Sequence, residues 1–311
     1  MPSPTTPSSS PPSAHYGRLG HDVSRPRRPN PDDVSYLLSL PLSPDPSDPE
    51  SVLTSSRAAR AGLTSLGPSL ASVSGDARGS SLLESCVRLG LSLPPGGEED
   101  DVRDVRDCLE AVLTSAAPYA EFLAINRYGS HVLQAVLERC PEILGMDKEG
   151  GGPSKSAGKV LEMADVAKDS LLEMMQHISA SHFVRSMLCV LCGVTPSSVL
   201  PPSKKSKKKK KNSQSGVDGF DPAFNPTTAA SYPTSVPLHS TPSSFKSSFD
   251  SLTSALLNRS TSKEVGFLQY LACHSCSSPV ISCLFRVAAV AYGSPPSSPP
   301  PAAPPPPRGG G

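Results

Sequence analysis

Apolar and polar positions follow one another at helical spacing along this chain, and one nine-residue arrangement of them recurs four times. It runs small, Ser, variable, apolar, apolar, polar, small, apolar, apolar. The copies are Gly79-Ser-Ser-Leu-Leu-Glu-Ser-Cys-Val87, Gly129-Ser-His-Val-Leu-Gln-Ala-Val-Leu137, Ala180-Ser-His-Phe-Val-Arg-Ser-Met-Leu188 and Ser277-Ser-Pro-Val-Ile-Ser-Cys-Leu-Phe285. At about 100° per residue, Val132, Leu133, Val136 and Leu137 of the second copy fall on one stripe. Ser130 and Gln134 lie one turn apart on a face displaced from that stripe, with His131 beside them. Each copy therefore predicts a helix with one buried side and one polar side. A single helix of this kind cannot bury its stripe alone, so the units are expected to stack.

A further apolar run precedes each copy: Leu63 to Leu66 with Leu70, Tyr119 to Ile125, Leu171 to Ile178, and Phe267 to Ala272. These predict a preceding helix, and the fold class follows as all-α, an α-solenoid of about four stacked helix pairs. Successive motif serines are 50, 51 and 97 residues apart. Compact helical repeats take roughly 20–45 residues, so each junction is expected to hold extra chain. Pro94 to Asp101 and Gly150 to Ser154 read as loops, and a Ser/Pro/Lys tract fills the third gap.

Composition sharpens these boundaries. With 36 Pro, 23 Gly and no Trp in 311 residues, parts of the chain lack the apolar surface needed to offset ordering entropy. The expected organisation is a disordered tail at 1–31, three repeat units at 32–194, a disordered insertion at 195–247, a further unit at 248–292 and a Pro-rich disordered tail at 293–311. That last tail has polyproline II composition. No stretch reaches the roughly 18–20 unbroken apolar residues of a membrane helix, and no signal-peptide core follows Met1, so a soluble intracellular protein with no membrane partner is expected. Its eight cysteines are then expected to be reduced.

The net charge of +1 conceals an uneven distribution. Lys204 to Lys211 supplies seven of the 29 basic residues, leaving 22 against 28 acidic ones elsewhere. Such a run suits nuclear import or loose nucleic-acid attraction, and equally a solvated block within a loop.

Two C-x-x-C pairs, Cys189/Cys192 and Cys273/Cys276, raise the question of zinc. Neither has a Gly or Pro knuckle between its cysteines, and both sit in apolar helix-like runs, so they read as small buried hydrophobes. Cys140 with His131 or His177 is the generic nucleophile pairing. No third orienting group accompanies it, and the histidine at position three recurs at His182, which argues for a role in the repeat. No glycine-rich phosphate loop follows a strand. No catalytic residue, metal or cofactor is called for, and a small-molecule substrate is not expected.

The run Asn126-Arg-Tyr-Gly-Ser-His-Val-Leu-Gln-Ala-Val-Leu137 closely resembles the signature helix of a Pumilio (PUF) repeat. That family reads single-stranded RNA at roughly one base per helical repeat, through two or three side chains. The resemblance implies Ser130 and Gln134 as base-edge readers with His131 as the stacking residue. It implies Ser80 and Glu84 as a guanine-like pair in the first copy, with Ser81 too small to stack. The third copy offers Ser181, His182 and Arg185, and the fourth is a poor reader with Ser278, Pro279 and Ser282. Arg127, Arg139 and Arg185 would attract phosphate.

Ser181 to Gly193, the insertion after it and Leu271 to Ile281 are similar to a narrower group, the nucleolar Pumilio-like proteins of ribosome biogenesis ("nucleolar protein nine" type). Asp32 to Leu37 resembles their entry segment. The resemblance covers roughly 32–290. It implies a nuclear, nucleolar protein that binds precursor ribosomal RNA in small-subunit (18S) maturation without catalysis, beside other proteins of the pre-ribosomal particle. The alternatives are a cytoplasmic Pumilio-type regulator of messenger RNA and a protein-binding α-solenoid scaffold.

Overall fold

The structure is a computed structural model that describes residues 25–93, 99–146, 154–199, 237–261 and 266–293. Within them the chain is all-α and stacks four units in sequence order. Each unit has three helices: a long one, a short one and the motif helix. The first unit is α2 (Pro49–Leu66), α3 (Leu70–Ser74) and α4 (Ala77–Gly90), and α1 (Pro31–Ser39) precedes it. The second is α5 (Glu99–Ala116), α6 (Ala120–Ile125) and α7 (Gly129–Leu144); the third is α8 (Lys155–Asp169), α9 (Leu171–Gln176) and α10 (Ala180–Leu191). After α11 (Pro196–Val199), the fourth is α12 (Ser243–Thr261), α13 (Phe267–Cys273) and α14 (Ser277–Tyr292).

The expectation of helix pairs is therefore corrected to helix triplets. The apolar runs read as preceding helices are mostly the short α3, α6, α9 and α13, and a longer helix stands before each. Two of these long helices hide in composition. α2 buries small and polar residues (Ser55, Ser56, Ala59, Arg60, Gly62) around Leu63 and Leu66. α5 begins inside the supposed loop, with Glu99, Asp100 and Asp101 as its first turn, where carboxylates meet the positive end of the helix dipole. With three helices per unit, the 50-residue spacing leaves short connections.

The motif helices form one layer, since α4 packs on α7, α7 on α10 and α10 on α14. The long helices form a second, with α2 on α5, α5 on α8 and α8 on α12. One continuous core lies between, including Leu63, Leu83, Leu109, Leu133, Val160, Phe183, Phe249 and Val280. Arg60, buried in α2, reaches Asp101 of α5 at 3.5 Å and ties the first unit to the second.

The first position of the motif is small for a visible reason. A Cβ on Gly79 would lie 2.7 Å from the Val73 carbonyl oxygen, and one on Gly129 3.0 Å from that of Leu123. Each motif helix starts against the last turns of the short helix before it. Ser277 fits the fourth copy by donating its hydroxyl to the Leu271 carbonyl at 2.7 Å.

Residues 1–24, 94–98, 147–153, 200–236, 262–265 and 294–311 lie outside the described residues, Lys204–Lys211 and most of the Pro94–Asp101 and Gly150–Ser154 stretches among them. Residues 195–199 and 237–247, the two ends of the 195–247 insertion, are among the described residues. Val194 pairs with Leu238 in an isolated antiparallel bridge, and the His239 amide donates to the Gly193 carbonyl at 2.8 Å. Gly193 adopts φ +68° there, where any Cβ would run into the His239 carbonyl, so this crossing requires glycine. The chain thus leaves for 200–236 and returns beside its point of departure, and α12 begins at Ser243.

Candidate nucleic-acid interface

Every motif helix is started by a side chain three residues before its first motif position. In α4 the Asp76 carboxylate accepts the amides of Arg78 and Gly79, both at 2.9 Å. In α7 Asn126 Oδ1 accepts Tyr128 and Gly129 at 2.8 and 2.9 Å. In α10 His177 Nδ1 accepts Ser179 and Ala180, both at 3.2 Å, and in α14 His274 Nδ1 accepts Cys276 at 3.3 Å. Asp, Asn and two His thus do one job, satisfying amides that a helix start leaves unpaired. Sequence reasoning missed these four positions, although their fixed offset from the small residue was available.

This also decides the role of His177. Its ring accepts backbone amides, and burial pushes its pKa below the usual imidazole range. Cys140 donates to the Val136 carbonyl inside α7, and burial pushes its thiol up to about 12. A thiol in that state supplies no thiolate nucleophile at neutral pH. The cysteine pairs also separate. Cys189 and Cys192 are buried in the core, Cys273 is exposed, and the sulfur beside Cys189 belongs to Cys283, at 3.8 Å. Among the described residues no three His, Cys, Asp or Glu are grouped to hold a metal ion.

The expected readers lie along the layer of motif helices. The motif serines point inward: Ser80, Ser130 and Ser181 are buried, and their hydroxyls donate to the carbonyls of Ala77, Arg127 and Ile178 at 3.4, 3.1 and 3.2 Å. The sequence pattern placed them on an open polar face; in the folded chain they close the first turn of their own helix. Gln134 is half-buried and donates from Nε2 to the Ser130 carbonyl at 2.9 Å. That bond aims the amide along the helix and leaves its oxygen as an acceptor.

His131 and His182 are both exposed, on adjacent helices, and near enough that His131 contributes to the titration of His182. Burial of part of the His182 ring lowers its pKa to about 4, with further lowering from Arg185 and then His131. The Arg185 guanidinium lies 2.7 Å from His182 Nδ1, and its Nε donates to the Ser181 carbonyl at 3.4 Å. His182 is therefore a neutral ring at physiological pH, held by an arginine. Glu84 is engaged by Arg88 through bonds of 2.7 and 3.2 Å to one carboxylate oxygen. Arg127 is exposed at the turn into α7, and Arg139 sits 3.9 Å from Glu142. The structure thus brings His131, His182 and Arg185 together around the α7–α10 junction and leaves Glu84 in a local ion pair.

Stacked three-helix units whose motif helices line up in one layer define a Pumilio-type α-solenoid. Residues 108–297 match the model of the NOP9-like PUF repeat domain, and the chain belongs to that family. It is similar to Nucleolar protein 9 of Scheffersomyces stipitis, 28% identical over 187 residues, which is 53% of this chain and 24% of that protein. It also resembles the solved structure of APUM23-GGAGUUGACGG with a TM-score of 0.51 and 20% identity, over 83% of this chain and 40% of the other. That second likeness concerns the fold. The chain spans about a quarter of the length of its curated relative.

Proposed function

We propose that this chain is an RNA-binding array of a nucleolar protein that acts, without catalysis of its own, in ribosome biogenesis. Its ligand is single-stranded precursor ribosomal RNA, bound during small-subunit (18S) maturation. The observation that carries the reading is the α7–α10 junction, where exposed His131 and neutral His182 sit on adjacent motif helices with Gln134 and Arg185 beside them. Membership of the NOP9-like PUF family and the name of the Scheffersomyces stipitis relative support it.

In this reading, unstacked bases lie against the two imidazoles, and Gln134 offers its amide to a base edge. Arg127 and Arg185 draw the phosphates. The motif serines hold the helix starts that aim these groups. A neutral ring at His182 stacks without the desolvation cost of a charge, and Arg185 beside it supplies the positive field. Lys204–Lys211, outside the described residues, serves nuclear import.

An electrophoretic shift assay with single-stranded precursor ribosomal RNA tests the site. Stacking contributes about 1–3 kcal/mol per base, so the double change His131→Ala and Gln134→Ala is expected to weaken binding at least about tenfold. Unchanged affinity removes this junction from the interface. Crosslinking in cells with sequencing of the bound RNA tests the ligand. Recovery of messenger RNA would favour the cytoplasmic regulator, and recovery of proteins without RNA would favour the scaffold.

A further inference from the structure

Two of the free thiols meet across a unit boundary. Cys189 in α10 and Cys283 in α14 are both buried, and their sulfurs lie 3.8 Å apart although 94 residues separate them in the chain. A disulfide needs an S–S distance of about 2.05 Å. Rotation of the two side chains, with α10 and α14 left packed on each other, is the movement that closes the gap.

The two sulfurs sit in unlike surroundings. Cys283 has its pKa lowered, first by the hydrogen bond with Cys189 and then by the nearby Arg185 and Arg286 guanidiniums. Cys189 is pushed up by that same hydrogen bond and by burial, so it keeps the shared proton. Burial drives Cys86, Cys108, Cys140 and Cys192 upward to about 11 or 12. Nucleophilic sulfur is the thiolate, and at this contact the field of two arginines favours it on Cys283. Arg185 is itself half-buried and reaches the exposed His182 at 2.7 Å, so it links the sulfur's surroundings to the surface.

We propose that Cys189 and Cys283 form a reversible disulfide that latches the third unit to the fourth when the chain meets a peroxide. The Cys283 thiolate attacks one oxygen of hydrogen peroxide and becomes a sulfenic acid, and the departing hydroxide takes a proton and leaves as water. The Cys189 sulfur then attacks the Cys283 sulfur, and the hydroxyl lost there leaves with the Cys189 proton as a second water. The two thiols lose two hydrogens and two electrons, and the peroxide gains them. A dithiol reductant reverses the step by exchange. In a reducing compartment such a bond is a transient response to oxidation and not a permanent strut. It closes a loop that contains the whole 195–247 insertion, and so removes freedom from the unfolded chain.

The test treats the full folded chain with hydrogen peroxide, caps the remaining thiols and maps the linked peptides by mass spectrometry. Chymotryptic cleavage after Leu191 separates Cys189 from Cys192, and fragmentation separates Cys283 from Cys276. One linkage, Cys189 to Cys283, is expected, two hydrogens lighter than the free thiols and formed with helical circular dichroism unchanged. Tm is expected to rise by about 5 °C or more on oxidation and to return with dithiothreitol. Cys192→Ser and Cys276→Ser are expected to keep the bond, and Cys189→Ala and Cys283→Ala to abolish it together with the rise in Tm. The mapping in the unaltered chain decides the matter even where a variant fails to fold. A linkage that forms only in urea, one that joins other cysteines, or Cys283 passing to sulfinic acid beside a free Cys189 would overturn the proposal.

Discussion

The second and fourth units carry the same pattern in motif helices of sixteen residues each, α7 and α14, yet they differ on both faces. Among the described residues, the apolar stripe of α7 is covered by a unit on either side, whereas that of α14 is covered on one. On the polar face α7 presents His131 and Gln134, where α14 has Pro279 and Ser282. The stripe and the polar face therefore vary independently. Stacking demands the first, because each helical unit gains its stability largely by burying apolar positions against its neighbours. In the proposed function the second answers only to what is bound, so it can erode without loss of architecture.

The sharpest way to break this comparison is at position nine, where Leu137 is 1% exposed and Phe285 71%. Leu137→Ala removes packed atoms from a closed interface and is expected to cost about 2–5 kcal/mol. Phe285→Ala is expected to change stability by about 0.5 kcal/mol or less, as for an exposed site. Urea unfolding of both variants measures the difference. Equal losses would mean that Phe285 is packed as closely as Leu137.

The next effect concerns the helix starts. Asn126 accepts two amides of α7, while His274 accepts one of α14. Asn126→Ala is expected to cost about 0.5–2 kcal/mol. His274→Ala is expected to cost less than Asn126→Ala, because fewer amides lose their partner. Thermal melts of the two variants rank them, and the reverse order would deny that these residues share one role.

The positions that were legible in the sequence are those where chemistry and period agree. Leu133, Val136 and Phe183 stand at helical spacing in apolar runs, and the motif helices they belong to are read directly. The long helices α2 and α5 were not legible for opposite reasons. α2 packs through Ala, Gly and Ser, whose contribution comes from close approach and not from hydropathy, and α5 opens on three acidic residues that resemble a loop until the helix dipole is considered. At the proposed interface, His131 and His182 are picked out by their recurrence at one repeat position. The inward turn of Ser80, Ser130 and Ser181 is not, because a helical wheel places a Cβ but says nothing about a hydroxyl that bonds its own backbone. The contact between Arg185 and His182 joins neighbours three residues apart, a spacing the sequence does contain. What it could not give was the partial burial that makes this imidazole neutral.

The smallest effect is also the most specific to the α7–α10 junction. Folding lowers the pKa of His182 from 6.5 to about 4 and lowers that of His177 for the same reason, loss of solvent around the charged form. The unfolded chain therefore binds protons that the folded chain refuses, and stability rises with pH wherever this holds. The stabilisation is complete above about 6.5 and is lost as pH falls from there towards 4. The charged group and the titratable ring that act on His182 are Arg185 and His131, and both oppose its protonation. Because part of the ring meets solvent, screening keeps the effect modest. Urea midpoints are expected to decline between pH 7 and pH 5, and His182→Gln is expected to flatten the decline while leaving the midpoint at pH 7 nearly unchanged. His131→Gln, in the second unit, is expected to alter the slope less, because it acts on His182 only from the neighbouring helix. If His182→Gln leaves the slope intact, the junction does not hold a neutral imidazole, and the asymmetry between the polar faces must come from elsewhere.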